Sequence, residues 1–98
     1  MPRHFVSRHA GAREWAARRQ LVVDHFHAHL DLDAVRPGDA VIGTLPIQLA
    51  AEVCARGAIY QHLTLTMPAD WRGRELSADE LEACGAGLTT FDIRQAQT

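Results

Sequence analysis

The stretch FVSRHAGAREWA, residues 5–16, decides how the rest of the chain is interpreted. It opens with two apolar residues that are typical of the end of a short strand. Three polar and basic side chains follow, and these are Ser7, Arg8 and His9. A small-residue turn then leads into a helix predicted over residues 12–20. Because the start of a helix exposes unpaired N–H groups and partial positive charge, this junction is suited to phosphates and other anions.

The same residues have a second interpretation. Strand–loop–helix junctions occur in every α/β protein, and this one contains no Walker or GxGxxG loop with a defined phosphate-binding mechanism. In that case Ser7 only caps the first helix, while Arg8 and His9 lie at the surface of a loop. The residues of the junction leave both interpretations open.

Length and composition fit one small domain that covers residues 1–98. A hydrophobic content of 47% supports a compact core and argues against disorder. A domain of this size buries only about two-thirds of its unfolded surface, so association with a second copy would stabilise it. The net charge of −2 gives no indication of a duplex DNA partner. All ten basic residues are arginine, which suits bidentate phosphate contacts, although a GC-rich source would produce the same bias.

The cysteines and the first residues bear on the cellular compartment. Cys54 and Cys84 lie in predicted helices and form no CxxC pair, which is typical of buried thiols in a reducing compartment. Polar residues interrupt any apolar run near the start, so no signal peptide is expected, and no stretch is apolar enough to span a membrane. We therefore expect a cytoplasmic protein without a membrane partner.

Hydrophobic periodicity predicts strands that alternate with helices along the chain. The predicted strands cover residues 3–7, 21–26, 40–43, 58–65 and 89–94, and the last of them alternates like an exposed edge strand. The predicted helices cover residues 12–20, residues 46–56 with Thr44 as cap, and a third segment opened by a capping box at Ser77 and Glu80. This pattern predicts a single α/β domain with a mostly parallel sheet of about five strands and helices on both faces.

The predicted topology brings two loops together. In the flavodoxin-like strand order 2-1-3-4-5, the first and third strands are neighbours, and the ligand crevice lies at their carboxyl ends. The loop at residues 7–9 follows the first strand, and the loop at residues 43–46 follows the third. We therefore expect these loops to face each other across one crevice.

Three alternating histidines, His25, His27 and His29, raise the question of a metal site. Imidazoles suit zinc or copper, but the last two are expected to lie past the end of the second strand. No carboxylate or cysteine completes a recognised pattern. The aspartates of the following connection lack EF-hand spacing and are expected in a solvated loop: Asp31, Asp33 and Asp39. The sequence therefore predicts no metal site.

The loop at residues 66–76 carries Trp71, Arg72 and Arg74. Aromatic and guanidinium planes both stack on nucleobases, so this loop could form a lid that holds a base and contacts a phosphate. Alternatively, it is a surface loop with Trp71 packed onto the core. The residues do not separate these two interpretations.

Four blocks of the sequence resemble one family. These blocks are FVSRHxGAxEWA at residues 5–16, VDH at residues 23–25, VIGTLPxxLAAEVC at residues 41–54 and RGRELS at residues 72–77. They are similar to small stand-alone CRISPR-associated proteins that accompany type III interference systems. The resemblance covers nearly the whole chain, up to about Arg94.

The resemblance implies a Rossmann-like fold related to the CARF domains, which sense cyclic oligoadenylates. It also implies ring-nuclease activity that cleaves cyclic tetra-adenylate and switches off the second-messenger response. Such cleavage needs no metal or other cofactor, because a ribose 2′-hydroxyl can attack the adjacent phosphorus and leave a 2′,3′-cyclic phosphate. A homodimer is expected, since a ring of four adenylates has two-fold symmetry.

Carried over onto the matching positions, the resemblance implies a catalytic set of Ser7, Arg8 and His9. We expect Arg8 to contact phosphate and His9 to serve the leaving oxygen, with Thr44 orienting the ligand. The expected ligand-binding residues are Gly11, Gly43, Thr44, Leu45, Arg72 and Arg74.

Two other functions need the same kind of surface and remain open. A sponge or sensor would bind the cyclic nucleotide without cleaving it, and it needs the same phosphate contacts as an enzyme. A structural subunit that docks on an effector protein would bind no nucleotide. Product analysis with excess cyclic tetra-adenylate separates these functions.

Overall fold

The computed structural model describes residues 2–97 and contains one five-stranded sheet. The strands run in the order β2-β1-β3-β4-β5; the first four are parallel, and β5 is antiparallel to β4. Their bounds are Arg3–Val6 for β1, His25–His27 for β2, Ala40–Gly43 for β3, Ile59–Thr64 for β4 and Gly87–Phe91 for β5. The predicted α/β class, the mostly parallel sheet and the strand order are confirmed.

Three helices connect the strands: α1 at Ala10–Arg18, α2 at Ile47–Ala55 and α3 at Ala78–Ala83. Single 3₁₀ turns occupy Leu32–Ala34 and Ala69–Trp71. The predicted capping box is present, because Glu80 N donates to Ser77 Oγ at 3.1 Å and Ser77 N donates to Glu80 Oε1 at 3.0 Å.

Alternation along the strands divides the core between the two faces of the sheet. Phe5 and Ile42 face α1 and α3, where they pack with the buried Trp15. Val41 and Tyr60 face α2 on the opposite side. Helices therefore cover both faces, as predicted, and the strand ends at the carboxyl edge stay open between them.

The second strand differs from its prediction at residues 21–26. It covers only His25–His27, because its ladder can extend only along β1, which is four residues long. Leu21 and Val23 instead pack against the α1/α3 core, while Val22 is exposed. The expectation that His27 lies past the strand end is wrong, whereas His29 does lie outside the strand.

Other boundaries shift for local reasons. Helix α1 begins at Ala10 rather than residue 12, because the His9 carbonyl already accepts from the amides of the first turn. Thr44 does not cap α2: its N-cap is Pro46, without a side-chain cap hydrogen bond. Strand β5 starts at Gly87, opposite Thr64, two residues earlier than predicted, and ends at Phe91, three residues earlier than predicted.

The two cysteines are both free thiols, as expected. Cys54 lies in α2 and is half-buried, and Cys84 is buried just after the end of α3. Within residues 2–97, no helix combines the length and the apolar character needed to cross a membrane.

Candidate functional site

A cleft of about 210 Å³ opens at the carboxyl ends of β1 and β3. Its polar rim combines Ser7 and His9, which follow β1, with Thr44, which follows β3. Arg74 and Glu75 from the loop before α3 close the opposite side. The floor is apolar and consists of core side chains: Phe5, Ala12, Leu63, Leu65 and Leu81. The crevice expected from the strand order is present at this place.

Two glycines set the shape of the cleft by allowing close backbone approaches. A Cβ on Gly43 would lie 2.8 Å from the carbonyl oxygen of Val6, so the ends of β1 and β3 could not run this close together. A Cβ on Gly11 would lie 2.0 Å from the carbonyl oxygen of Leu76. Gly11 therefore fits α1 against the segment that carries Arg74 and does not itself line the cleft.

Ser7 joins the end of β1 to the start of α1. Its Oγ accepts a hydrogen bond from His9 N at 3.1 Å, which stabilises the turn, and its own amide donates to the carbonyl oxygen of His27 at 2.8 Å. Neither interaction is an N-cap of α1, since the N-cap residue is His9 and it receives no side-chain cap. Within residues 2–97 the Ser7 hydroxyl donates no hydrogen bond, so its hydrogen can bind a ligand.

His9 and Arg8 differ in how they are held. Nδ1 of His9 is 2.9 Å from Oε1 of Glu75, so the ring is oriented across the mouth of the cleft. Among residues 2–97, Nε2 of His9 has no hydrogen-bond partner. Arg8 is exposed, lies outside the cleft lining, and makes no ion pair within the part of the chain that the structure describes. Its guanidinium is available to an anion in solution.

The loop before α3 is braced at Arg74. The guanidinium lies 4.7 Å from the ring centre of Trp71, a cation–π contact, and donates to Oε2 of Glu80. The amide of Ser77 and the guanidinium of Arg74 hold the pKa of Glu80 below its usual range. Trp71 is half-buried but does not belong to either core cluster, and Arg72 is exposed outside the cleft.

The loop after β3 is fixed from β4 by a tyrosine that the sequence did not single out. The hydroxyl of Tyr60 accepts from the Leu45 amide at 3.0 Å and donates to the carbonyl oxygen of Gly43 at 3.1 Å. It also lies 2.6 Å from Nδ1 of His62. Burial raises the pKa of Tyr60 and so keeps the phenol neutral. These bonds hold Thr44 at the rim of the cleft.

The structure brings together five of the nine predicted site residues and leaves four beside the cleft. The lining contains Ser7, His9, Gly43, Thr44 and Arg74. The residues outside the lining are Arg8, Gly11, Leu45 and Arg72. Glu75, Tyr60 and His62 were missed, and the available signals were the RGRELS block for Glu75 and the two-residue alternation along β4 for the other two.

The rim of the cleft carries groups of the kind that bind phosphate esters. An imidazole, two hydroxyls and a guanidinium surround a small apolar floor at the start of α1, where the helix carries partial positive charge. Within the described residues, no group of three or more His, Cys, Asp and Glu side chains is arranged to hold a metal ion.

The fold and the cleft together define a small Rossmann-like α/β protein with a cleft at its topological switch point. Residues 4–94 match the family described as "Putative CRISPR-associated protein (Cas_VVA1548)". The chain belongs to this family and is therefore a CRISPR-associated protein. No curated protein and no solved structure matches the chain.

Proposed function

We propose that this protein is a CARF-related ring nuclease of a type III CRISPR system, acting in the cytoplasm on cyclic tetra-adenylate. The observation that carries the proposal is the cleft that gathers Ser7, His9, Thr44 and Arg74 at the carboxyl edge of the sheet. Membership of a CRISPR-associated family supports a role in antiviral defence. The resemblance of the four sequence blocks at residues 5–16, 23–25, 41–54 and 72–77 supports this particular activity.

The proposed reaction is attack of a ribose 2′-hydroxyl on the adjacent phosphorus. Ser7 and Thr44 orient the ribose and phosphate, and Arg8 neutralises the phosphate charge. The Nε2 proton of His9 goes to the leaving 5′ oxygen, while Glu75 holds the other side of the same ring at 2.9 Å. The products are a 2′,3′-cyclic phosphate and a free 5′-hydroxyl.

The size of the cleft bears on the assembly. About 210 Å³ is less than the roughly 300 Å³ at which pockets for whole small molecules begin, so one cleft takes only part of the ring. A ring with two-fold symmetry then needs two clefts. An isologous homodimer supplies them, and light scattering of the protein with and without ligand tests this assembly.

The decisive experiment incubates the protein with an excess of cyclic tetra-adenylate in EDTA and identifies the products. We expect linear products that end in a 2′,3′-cyclic phosphate. His9→Ala should slow single-turnover cleavage by about 10²–10⁴-fold while binding is kept, and Arg8→Ala should mainly weaken binding.

Each other outcome points to a different function. A bound but intact ring supports the alternative of a sponge or sensor, and absence of binding supports a subunit that docks on an effector. Loss of cleavage in EDTA that zinc or manganese restores contradicts the proposed metal independence.

A further inference from the structure

The lining of the cleft holds one imidazole and one carboxylate, and these two groups are hydrogen-bonded to each other. Among the described residues that line the cleft, His9 is the only histidine and Glu75 the only acidic residue. Nδ1 of His9 lies 2.9 Å from Oε1 of Glu75. Both side chains are more than half exposed, so both can reach a ligand that enters the mouth of the cleft.

The backbone on both sides of Glu75 is fixed, although its side chain is exposed. Arg74, the residue before it, lines the cleft and is ion-paired with Glu80. Leu76, the residue after it, packs against the α1/α3 core, and its carbonyl oxygen would lie only 2.0 Å from a Cβ on Gly11. The carboxylate of Glu75 is therefore placed at the rim of the cleft by its own segment of the chain.

The hydrogen bond uses the inner atoms of the pair and leaves the outer atoms free. An ionised carboxylate only accepts hydrogen bonds, so Nδ1 of His9 carries the proton that it shares with Oε1 of Glu75. Within residues 2–97, neither Oε2 of Glu75 nor Nε2 of His9 has a hydrogen-bond partner. The pair therefore presents an oxygen that can accept a proton at one end. At the other end it presents a nitrogen that can donate one when the imidazole is fully protonated.

The proposed reaction needs an acceptor for the proton of the 2′-hydroxyl, and the lining of the cleft offers few candidates. Ser7 and Thr44 contribute hydroxyls, which do not take up a proton at neutral pH, and the guanidinium of Arg74 is always protonated. The imidazole of His9 serves the leaving oxygen. A carboxylate is ionised at neutral pH and acts as a general base in many enzymes.

We propose that Glu75 is the general base for the 2′-hydroxyl, so that Glu75 and His9 act together as one base–acid pair. This inference rests on the ring-nuclease function proposed above, and it gives Glu75 a chemical step beyond orienting His9. In-line attack places the 2′-oxygen and the leaving 5′ oxygen on opposite sides of the phosphorus. A base and an acid at opposite ends of one hydrogen-bonded pair suit that arrangement.

The step transfers two protons and leaves the net charge of the pair unchanged. Oε2 of Glu75 takes the proton of the 2′-hydroxyl while the bond between the 2′-oxygen and phosphorus forms. The bond from phosphorus to the 5′ oxygen breaks, and that oxygen takes the Nε2 proton of His9. The pair begins as a carboxylate and an imidazolium and ends as a carboxylic acid and a neutral imidazole. Exchange of protons with water then restores the starting state.

The first test uses Glu75→Gln, because the amide oxygen can still accept from Nδ1 of His9 but cannot take up a proton. With cyclic tetra-adenylate as substrate, this variant should lower the single-turnover rate by about 10²–10⁴-fold and keep ligand affinity. If a folded Glu75→Gln variant cleaves at the parent rate, Glu75 only orients the imidazole and the proposal is wrong.

Glu82→Gln is the matched control for the loss of a negative charge. Glu82 is also an exposed carboxylate that accepts from a basic side chain, that of Arg19, but it lies outside the lining of the cleft. This variant should cleave at the parent rate. A loss as large as that of Glu75→Gln would show that net charge, and not a base at the rim, controls the rate, and would overturn the proposal.

The second test separates the base from the acid with a cyclic tetra-adenylate that carries sulfur in place of each bridging 5′ oxygen. A thiol has an ordinary pKa of about 8.5, so it leaves as a thiolate without needing a proton. This substrate should restore cleavage by His9→Ala, whereas Glu75→Gln should stay slow. Rescue of Glu75→Gln instead of His9→Ala would mean that the two roles are reversed, and would contradict the proposal.

The parent protein distinguishes failure of this proposal from failure of the proposed function. If the parent cleaves no cyclic tetra-adenylate, the ring-nuclease function is wrong and the base role of Glu75 is wrong with it. If the parent and Glu75→Gln cleave equally well, the ring-nuclease function stands and only the base role of Glu75 is wrong.

Discussion

Two histidine–carboxylate pairs in this protein have the same geometry and opposite surroundings. His4 and Asp39 are 2.9 Å apart with side chains 3% and 5% exposed. His9 and Glu75 are also 2.9 Å apart, but their side chains are 52% and 76% exposed. The first pair joins β1 to the residue just before β3, and the second spans the mouth of the cleft.

The difference shows that distance alone does not fix what such a pair contributes. Burial removes competing water, so a polar atom that loses its partner there cannot replace the lost hydrogen bond with one from water. The exposed pair can exchange its partner for water, and such pairs contribute about 0–1 kcal/mol to stability. The buried pair therefore governs folding, whereas the exposed pair is free to rearrange around a ligand.

The largest effect on this comparison should come from removing each imidazole in turn. We expect His4→Ala to lower the free energy of unfolding by about 2–4 kcal/mol, because a buried ring leaves a cavity and Asp39 loses the hydrogen bond from the imidazole. His9→Ala should lower it by less than about 1 kcal/mol. Urea unfolding followed by tryptophan fluorescence, to which the buried Trp15 contributes, measures both. Equal losses in the two variants would contradict the comparison.

The exposed pair can be broken from a distance through Gly11. Its added Cβ would lie 2.0 Å from the Leu76 carbonyl oxygen, so Gly11→Ala must push the segment that carries Glu75 away. We expect a loss of about 1–3 kcal/mol, although alanine normally stabilises a helix interior relative to glycine. Gly87→Ala is the control, because nothing lies within 4 Å of its Cβ. A Gly11→Ala variant as stable as the parent would show that this approach is not tight.

The response to pH should separate the two pairs further. His27 is hydrogen-bonded to His4 of the buried pair. Burial lowers the pKa of His27, so the unfolded chain binds the extra proton more readily below the ordinary imidazole pKa of about 6.5. This contribution is complete above that pH and is lost as the pH falls. The lowered pKa of Asp39 adds a second loss below the ordinary carboxyl pKa of about 3.9.

Melting temperature against pH measures both losses. His27→Gln should remove the loss that begins near pH 6.5 and keep the one at lower pH. His9→Ala should keep both, because the exposed pair takes no part in either. If His27→Gln leaves the whole profile unchanged, His27 does not control the loss of stability at low pH.

The sequence predicted the features that depend on local pattern and topology. The short apolar strands and the strand order were enough to bring Ser7 and Thr44 to one edge, since parallel strands end on the same side of a sheet. The capping box at Ser77 was also confirmed, because its bonds involve neighbours in the chain.

The buried pair could not be predicted, because it depends on register and side-chain direction. His4 and Asp39 are 35 residues apart and meet only once β1 and β3 pair as they do. Asp39 was expected in a solvated loop, but it is buried where a histidine supplies its hydrogen bond. His27 lies in β2, where it is hydrogen-bonded to His4, because this strand starts four residues later than its apolar pattern suggested.

The smallest effect should come from neutralising the exposed carboxylate. Glu75→Gln keeps an oxygen that can accept from Nδ1 of His9 and removes only the charge, so stability should change by less than about 0.5 kcal/mol. A double-mutant cycle of Glu75→Gln with His9→Ala, measured by urea unfolding, should give a coupling below about 1 kcal/mol. The corresponding cycle of His27→Gln with Asp39→Asn should give a coupling clearly above the error of the measurement, since His4 links both residues inside the protein. A coupling at the exposed pair as large as this one would mean that the mouth of the cleft is shielded from water in solution.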